Sequence, residues 1–313
     1  MRQHLAWLGL FAACDGGGGN AIDAIDPIDA IDADPFAPDG GPTGRTVLGT
    51  IRVLEARRVF DHDGTPIENR WGSAIAYYTT DRPPRWHREV ARAGDCVLLR
   101  YTPALCTPAC AADLLCVDTD VCDPPTRFQP AGQLTSAGLR VPLTMDGPDG
   151  YYYAQDQLPE DVFTDDAIVT ATLAGDDHRA HAITTRGVPP IVAAIELGQI
   201  TLVPGQDQTV RWTPAAGGAR VRVTLNSNNQ GHGAPYYGII DCDSDDGAGE
   251  VTIAAALVDG FPATRAWDSC AGSDCPPSTI RRYHRGAVDL GAGGEAELIV
   301  GSQLDFGVDH DLR

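Results

Sequence analysis

The sequence predicts a mainly β protein. It has two β-sandwich-like, immunoglobulin-like domains, a small disulfide-rich insertion in the first, and a disordered acidic stalk ahead of both. Three observations predict it. Glycine (35) and proline (23) against only two methionines describe a turn-rich chain. Runs of β-branched and aromatic residues recur at strand length between turn clusters such as DHDGTP and TDRPP. The segment ARVRVTL alternates cleanly, with Val221, Val223 and Leu225 on one side and Arg220, Arg222 and Thr224 on the other.

The chain opens with MRQHLAWLGLFAAC. Arg2 and His4 form a short polar start, and Leu5 to Ala13 is an apolar run whose helix would rise only about 14 Å. That is less than half of a hydrocarbon core of about 30 Å. Residues 1–13 therefore read as a signal peptide and not as a membrane span. Phe11 is too bulky for an ordinary A-x-A cleavage before Cys14. Phe11-Ala12-Ala13-Cys14 instead has an apolar residue, two small residues and then the cysteine that a lipobox requires. Cys14 is the expected lipid-attachment residue, and several fatty acyl (palmitate) chains there would anchor stably where one chain is marginal.

Residues 14–44 are expected to form a lipidated, disordered acidic linker. The triplets AID-AID-PID-AID place Asp23, Asp26, Asp29 and Asp32 three apart, and Pro27 interrupts any helical stripe of the isoleucines. Self-repelling charge with glycine and proline favours an extended chain.

Residues 45–196 read as the first sandwich-like domain. Its strand-length runs are TVLGTIRVLEARRVF, SAIAYYTT, DCVLLRY, QLTSAGLRVPLTM, YYYAQ, AIVTATLAG and RAHAITTRG. The insertion at 103–125 interrupts it. Residues 197–313 carry QITLVPG, QTVRWTP, ARVRVTLNS, YYGIIDC, EVTIAAAL, AVDLGA and EAELIVGS, seven short strands in the length of an immunoglobulin-like sandwich, with Trp212 in its core. The immunoglobulin Cys…Trp…Cys spacing is absent.

The nine cysteines divide unevenly. Assigning Cys14 to the lipid leaves Cys96, Cys106, Cys110, Cys116, Cys122, Cys242, Cys270 and Cys275, an even set suited to disulfides in an oxidising compartment. Local bridges within 106–122 and a Cys270–Cys275 bridge are expected, leaving Cys96 and Cys242. CTPACAADLLCVDTDVC lacks the C-x2-C pairs or histidines of a zinc site, so a disulfide knot in a loop is the expectation, rigid enough to serve as a recognition knob.

The formal net charge is −20 at pH 7, and loss of Arg2 with the leader makes the chain more negative still. Such a chain repels nucleic acid, which is excluded as a partner. All 23 basic residues are arginine, so lysine nucleophiles, Schiff bases and a P-loop lysine are excluded too.

Asp241, Asp243, Asp245 and Asp246 in DCDSDDG resemble a calcium loop only superficially. Counted from Asp241, the sixth and twelfth positions are Asp246 and Thr252 where an EF-hand needs Gly and Glu. An acidic turn is expected there, with Asp241, Asp243 and Asp245 as weak metal candidates. His178 and His181 would fall on opposite faces of a strand and ligate a metal only if folding brought them together. Asp61-His62-Asp63 and Asp309-His310-Asp311 read as polar turns or tails. No G-x-S-x-G elbow or glycine-rich phosphate loop appears, so no catalytic residue and no cofactor is assigned. Tyr151-Tyr152-Tyr153, Tyr236-Tyr237 and Trp267 offer aromatic surface, about half of which alternation would bury.

Phe11 to Cys14, Gly94-Asp95-Cys96, the 106–122 cluster, VRWTPA at 210–215 and CDSDDG at 242–247 together resemble the predicted lipoproteins abundant in myxobacteria and related Gram-negative bacteria. The resemblance spans nearly the whole chain. It implies export and a β fold and carries no activity. The expected role is a lipid-anchored, extracytoplasmic protein of the cell envelope, on the inner or outer membrane, with a non-enzymatic binding or structural function toward an envelope protein or glycan. The alternative is an envelope hydrolase, glycan-active or metal-dependent, in which Glu55, Asp61, His62 or the 241–246 acids would converge.

Overall fold

The computed structural model describes residues 45–60, 66–81, 86–154, 158–195, 198–227, 237–264 and 278–310. The expected signal peptide, lipidation site and acidic linker lie outside the described residues, as do Cys270 and Cys275. The fold is mainly β. In chain order the strands are β1 (Thr46–Phe60), β2 (Pro66–Tyr78), β3 (His87–Ala93), β4 (Cys96–Tyr101), β5 (Leu115–Asp118), β6 (Val121–Asp123), β7 (Leu134–Ala137), β8 (Leu143–Met145) and β9 (Tyr151–Tyr153). There follow β10 (Ile168–Leu173), β11 (His181–Arg186), β12 (Gln199–Leu202), β13 (Gln208–Arg211), β14 (Arg220–Asn226), β15 (Gly238–Asp245) and β16 (Glu250–Ile253). A short helix, α1 (Ala255–Gly260), precedes the long hairpin of β17 (Ser278–Gly291) and β18 (Gly294–His310).

One ten-stranded sheet organises the chain, in the order β3-β4-β15-β14-β17-β18-β1-β2-β9, with β12 added parallel to the end of β18. β1 runs parallel to β18, from Thr46 opposite Gly294 to Arg58 opposite Asp305, with one register shift between Val47 and Gly49. A four-stranded sheet, β11-β10-β7-β8, covers one end of the large sheet's apolar face. The two-stranded β13–β16 sheet, β12 and α1 cover the other end.

Period-two alternation explains why one face is apolar. Along β18, Ala296, Leu298, Val300, Leu304, Phe306 and Val308 point into the cores. Glu295, Glu297, Gln303 and Asp305 occupy the intervening positions and point the other way. The same alternation in β14 buries Val221, Val223 and Leu225. Two cores result under one sheet. Ile51, Val53, Tyr78 and Leu298 pack against Leu134, Val169, Leu173 and Ile183 in the first. Val223, Ile240, Ile280 and Phe306 pack against Trp212, Val251, Leu257 and Phe261 in the second. Where β11 meets β17, a Cβ on Gly286 would stand 2.3 Å from the Thr184 carbonyl oxygen, so only glycine allows the approach.

The domain boundary expected at residue 196 does not divide this sheet. β1 pairs with β18, β4 pairs with β15, and Cys96 is disulfide-bonded to Cys242 across that second pairing. Ala219, Ala296, Leu298 and Val300 belong to the core beneath the four-stranded sheet. An alternating strand can pair with any other of matching length, so pattern locates strands and is silent about distant partners.

Two local expectations also change, and one strand is added. DCDSDD is strand through Asp245 and not a turn, because Arg220 and Arg222 on β14 neutralise its acids. EVTIAAAL leaves the strand at Ile253 and becomes α1, where alanines favour helix and Leu257 and Val258 reach the core. HREVARA forms the edge strand β3, its charged residues suited to a position that discourages further pairing.

Candidate functional site

The outer face of the large sheet is a lattice of arginines and carboxylates. Arg220 donates from Nε to Asp243 Oδ1 at 2.8 Å and from Nη1 to Asp245 Oδ1 at 2.9 Å. Arg222 donates to Asp241, which also accepts from Thr224 Oγ1 at 3.0 Å. Burial pushes the Asp241 carboxyl above its ordinary value, against the pull of Arg222. Tyr283 donates to Asp243 Oδ2 at 2.7 Å, and burial raises the phenol. Further along the face, Arg285 binds both Glu295 and Glu297, and Thr50 donates to Glu297. Asp305 accepts from Gln303 and pairs with Arg58, and burial raises its carboxyl.

Asp241, Asp243 and Asp245, the weak metal candidates, do share this face. Each carboxylate is engaged by an arginine. Asp246 leaves the strand and turns inward, 1% exposed, to meet the buried Arg282 at 3.0 Å.

Glu55 lies on the opposite, core-facing side, where it accepts from the Phe163 amide at 3.2 Å and burial raises its carboxyl. Register places it level with Ser302, Arg282, Val221 and Ser244, four strands from β15 and so about 19 Å away. Glu55 therefore does not converge with Asp241, Asp243 and Asp245, and Asp246, which turns to the core-facing side, is held by Arg282. Asp61, His62 and Asp63 lie outside the described residues, as does Asp311. Asp309 is exposed, while His310 is buried with Nδ1 3.2 Å from the Pro262 carbonyl.

His178 and His181 do come together. His178 sits in a bend before β11, so the opposite-face rule for a strand does not apply to it. Both rings pack on Tyr78, with centroids 5.4 and 5.5 Å away. His181 Nε2 lies 2.8 Å from the Tyr78 hydroxyl, and its Nδ1 lies 2.8 Å from the Arg179 carbonyl. His178 is hydrogen-bonded to the Thr79 backbone. Burial lowers the pKa of both imidazoles, which favours the neutral rings. The trio fastens the four-stranded sheet to β2.

All six described cysteines are bridged. Cys106–Cys116 and Cys110–Cys122 staple the β5–β6 hairpin to its lead-in, and Cys96–Cys242 lies in the large sheet with both residues 1% exposed or less. The sulfurs of Cys106, Cys110 and Cys116 lie within 4.8 Å of one another. A metal needs thiolates, and these sulfurs are held in disulfides.

The outer face changes character at the β2–β9 edge, where it becomes aromatic. Tyr152 points inward and is fully buried, while Tyr151 is half-buried and Tyr153 is 57% exposed. Tyr153 stands opposite Ile75 and Tyr151 opposite Tyr77. Trp71 shares their face on β2, with the Arg58 guanidinium 6.0 Å from its ring centroid. Phe128 bridges to Thr79, its ring 5.9 Å from Tyr151. Of the other aromatics expected at the surface, Tyr237 is 46% exposed, and Tyr236 and Trp267 lie outside the described residues. The part played by Trp71 was legible only in the alternation of RWGSAIAYY, which sets it in phase with Ile75 and Tyr77.

No protein-family model matches the chain, and no curated protein does. Among solved structures it is similar to a chain of a 1.5-MDa bacterial ice-binding adhesin described for host cell surface retention, at 9% identity and a TM-score of 0.18. The match covers 85% of this chain and 66% of that one.

Proposed function

We propose that the chain is a membrane-tethered extracytoplasmic binding protein, held by an acylated Cys14 and presenting the outer face of its large sheet to a partner in the cell envelope. The observation that carries the reading is the state of the cysteines. All six described ones are bridged, one pair inside the sheet, and protein disulfides persist in oxidising compartments. The Phe11-Ala12-Ala13-Cys14 motif supplies the tether and the acidic residues of 14–44 supply the reach. Among the described residues no helix is long and apolar enough to cross a membrane, so the lipid is the anchor the proposal relies on. Binding is favoured over hydrolysis by where the polar groups are spent. The 241–246 acids are engaged by Arg220, Arg222 and Arg282, and Glu55 is engaged by the Phe163 amide.

The test is fractionation of cells producing the chain with Cys14 or with Cys14→Ser. The wild-type chain is expected in the membrane fraction and sensitive to protease added outside the inner membrane, with Cys14→Ser released in soluble form. Membrane association that survives the substitution, or protection from external protease, would overturn the proposal.

A further inference from the structure

We infer that the disulfide-stapled hairpin of β5 and β6 is a docking knob for a protein partner that presents an apolar pocket rimmed by arginine or lysine. The inference goes beyond the role proposed above by naming a separate surface and the chemistry that covers it. It stands whether or not Cys14 carries the tether.

After β4 the chain leaves the large sheet, and β5 and β6 pair only with each other. No residue of 103–125 belongs to either core. Three of the ten large apolar side chains exposed among the described residues nevertheless lie here, Leu105 at 73%, Leu115 at 46% and Val121 at 45%. Packing of the fold therefore does not account for their apolar character.

Register gathers them. Cys116 stands opposite Cys122, and their bridges to Cys106 and Cys110 occupy one face of the hairpin. Leu115 and Val121 each lie one residue from those cysteines and so on the other face, diagonal neighbours about 7–8 Å apart. Leu105 adjoins them, because its carbonyl accepts from the Asp120 amide. Two bridges fix this patch before a partner arrives, which lowers the ordering cost of docking.

Charge states which partner fits. Residues 103–125 carry Asp113, Asp118, Asp120 and Asp123, all exposed, and no basic residue. Asp123 stands opposite Leu115, and Asp118 stands opposite Val121. Asp118 already holds one arginine, Arg88 of β3, at 2.6 Å. An apolar centre ringed by carboxylates is complementary to an apolar pocket ringed by cations. The same carboxylates oppose a second copy of this chain, whose net charge is −20, and an anionic lipid surface.

The experiment is fluorescence anisotropy with the full chain carrying Cys14→Ser, which keeps lipid out of the measurement. The probe is a labelled synthetic amphipathic helix with leucine along one face and arginine at its borders. One analogue has glutamate for every arginine, and another has serine for every leucine. The probe is expected to bind, with each analogue weaker by about tenfold or more. Leu115→Ser/Val121→Ser should weaken binding about tenfold, and Asp113→Asn/Asp123→Asn should weaken it and flatten its salt dependence. Val192→Ser/Val203→Ser, at exposed valines elsewhere, should leave binding unchanged. Near-ultraviolet circular dichroism and a free-thiol assay confirm that each variant is folded and bridged. No binding of the probe, equal binding of the glutamate analogue, or full binding by Leu115→Ser/Val121→Ser would each overturn the inference. So would self-association, or retention on phosphatidylglycerol vesicles, that the same double variant abolishes, since the occupant would then be a second copy or a lipid surface. The tether is absent from the chain measured, so its failure and the failure of the knob give different results.

Discussion

Arg282 carries the densest set of buried polar contacts at the junction of the large sheet and its cover. It is 2% exposed and donates to the carbonyls of Pro189, Pro190 and Thr213 and to Asp246 Oδ1. Asp246 in turn accepts from the Ala215 amide, and its own carbonyl accepts from Trp212 Nε1. Removing the guanidinium leaves a buried carboxylate and three carbonyls without their donor. Arg282→Met should therefore cost about 3–5 kcal/mol in a guanidinium titration, with part of the loss recovered by adding Asp246→Asn. A cost under about 1 kcal/mol would contradict the assignment. Sequence showed the two residues separately, Asp246 as one of four acids and Arg282 as one of many arginines. Their pairing depends on a turn after β15 meeting a strand 36 residues later, which spacing does not reveal. The arginines of β14 were legible as a face, because alternation fixes Arg220 and Arg222 on one side without knowledge of the neighbour that supplies the acids.

At the scale of elements, strands were readable and their partners were not. Every run read as a strand contains one in the structure, since each has β-branched or aromatic residues in phase with a core. β3 was missed because its edge position needs no apolar pattern, and α1 because an alanine run following a strand has no period of its own. The fastening of the four-stranded sheet to β2 by Tyr78, His178 and His181 carries a pH prediction. Burial lowers both imidazole pKa values below the ordinary 6.5. The groups facing them are Tyr78, Asp177 and Arg179. The unfolded chain therefore takes up protons first as pH falls. The histidines' contribution to stability is complete above about pH 6.5 and is lost progressively below it. The melting temperature should fall between pH 7.5 and pH 5.5 by more in the wild type than in a His178→Gln/His181→Gln double variant. Equal falls in both would contradict this role. His284, also lowered by burial, is present in both chains and cancels in the comparison.

For the whole molecule, the sequence supported a mainly β chain with a disulfide-rich insertion and carried no signal for a sheet that runs across residue 196. A boundary near residue 196 looked natural because the strands on either side fill a sandwich by count. The parallel pairing of β1 with β18 and the Cys96–Cys242 bridge join residues on both sides of it into one sheet. Long-range pairing of this kind carries no local signal, because it is selected by packing of two covers against one face. The outer face is closely packed by its own side chains, with Thr50, Glu295, Glu297 and Asp305 each 2% exposed or less. It is acidic and arginine-laced over most of its width and aromatic at one edge, and an extracytoplasmic tether would hold it toward the envelope. The central claim, a lipid-held protein folded under oxidising conditions, is tested most directly by the intact mass of the chain purified from its own membranes, before and after reduction with alkylation. The account predicts an acyl adduct on Cys14 and cysteines that alkylate only after reduction, Cys96 and Cys242 among them. An unmodified Cys14 with thiols that alkylate without reduction would contradict it.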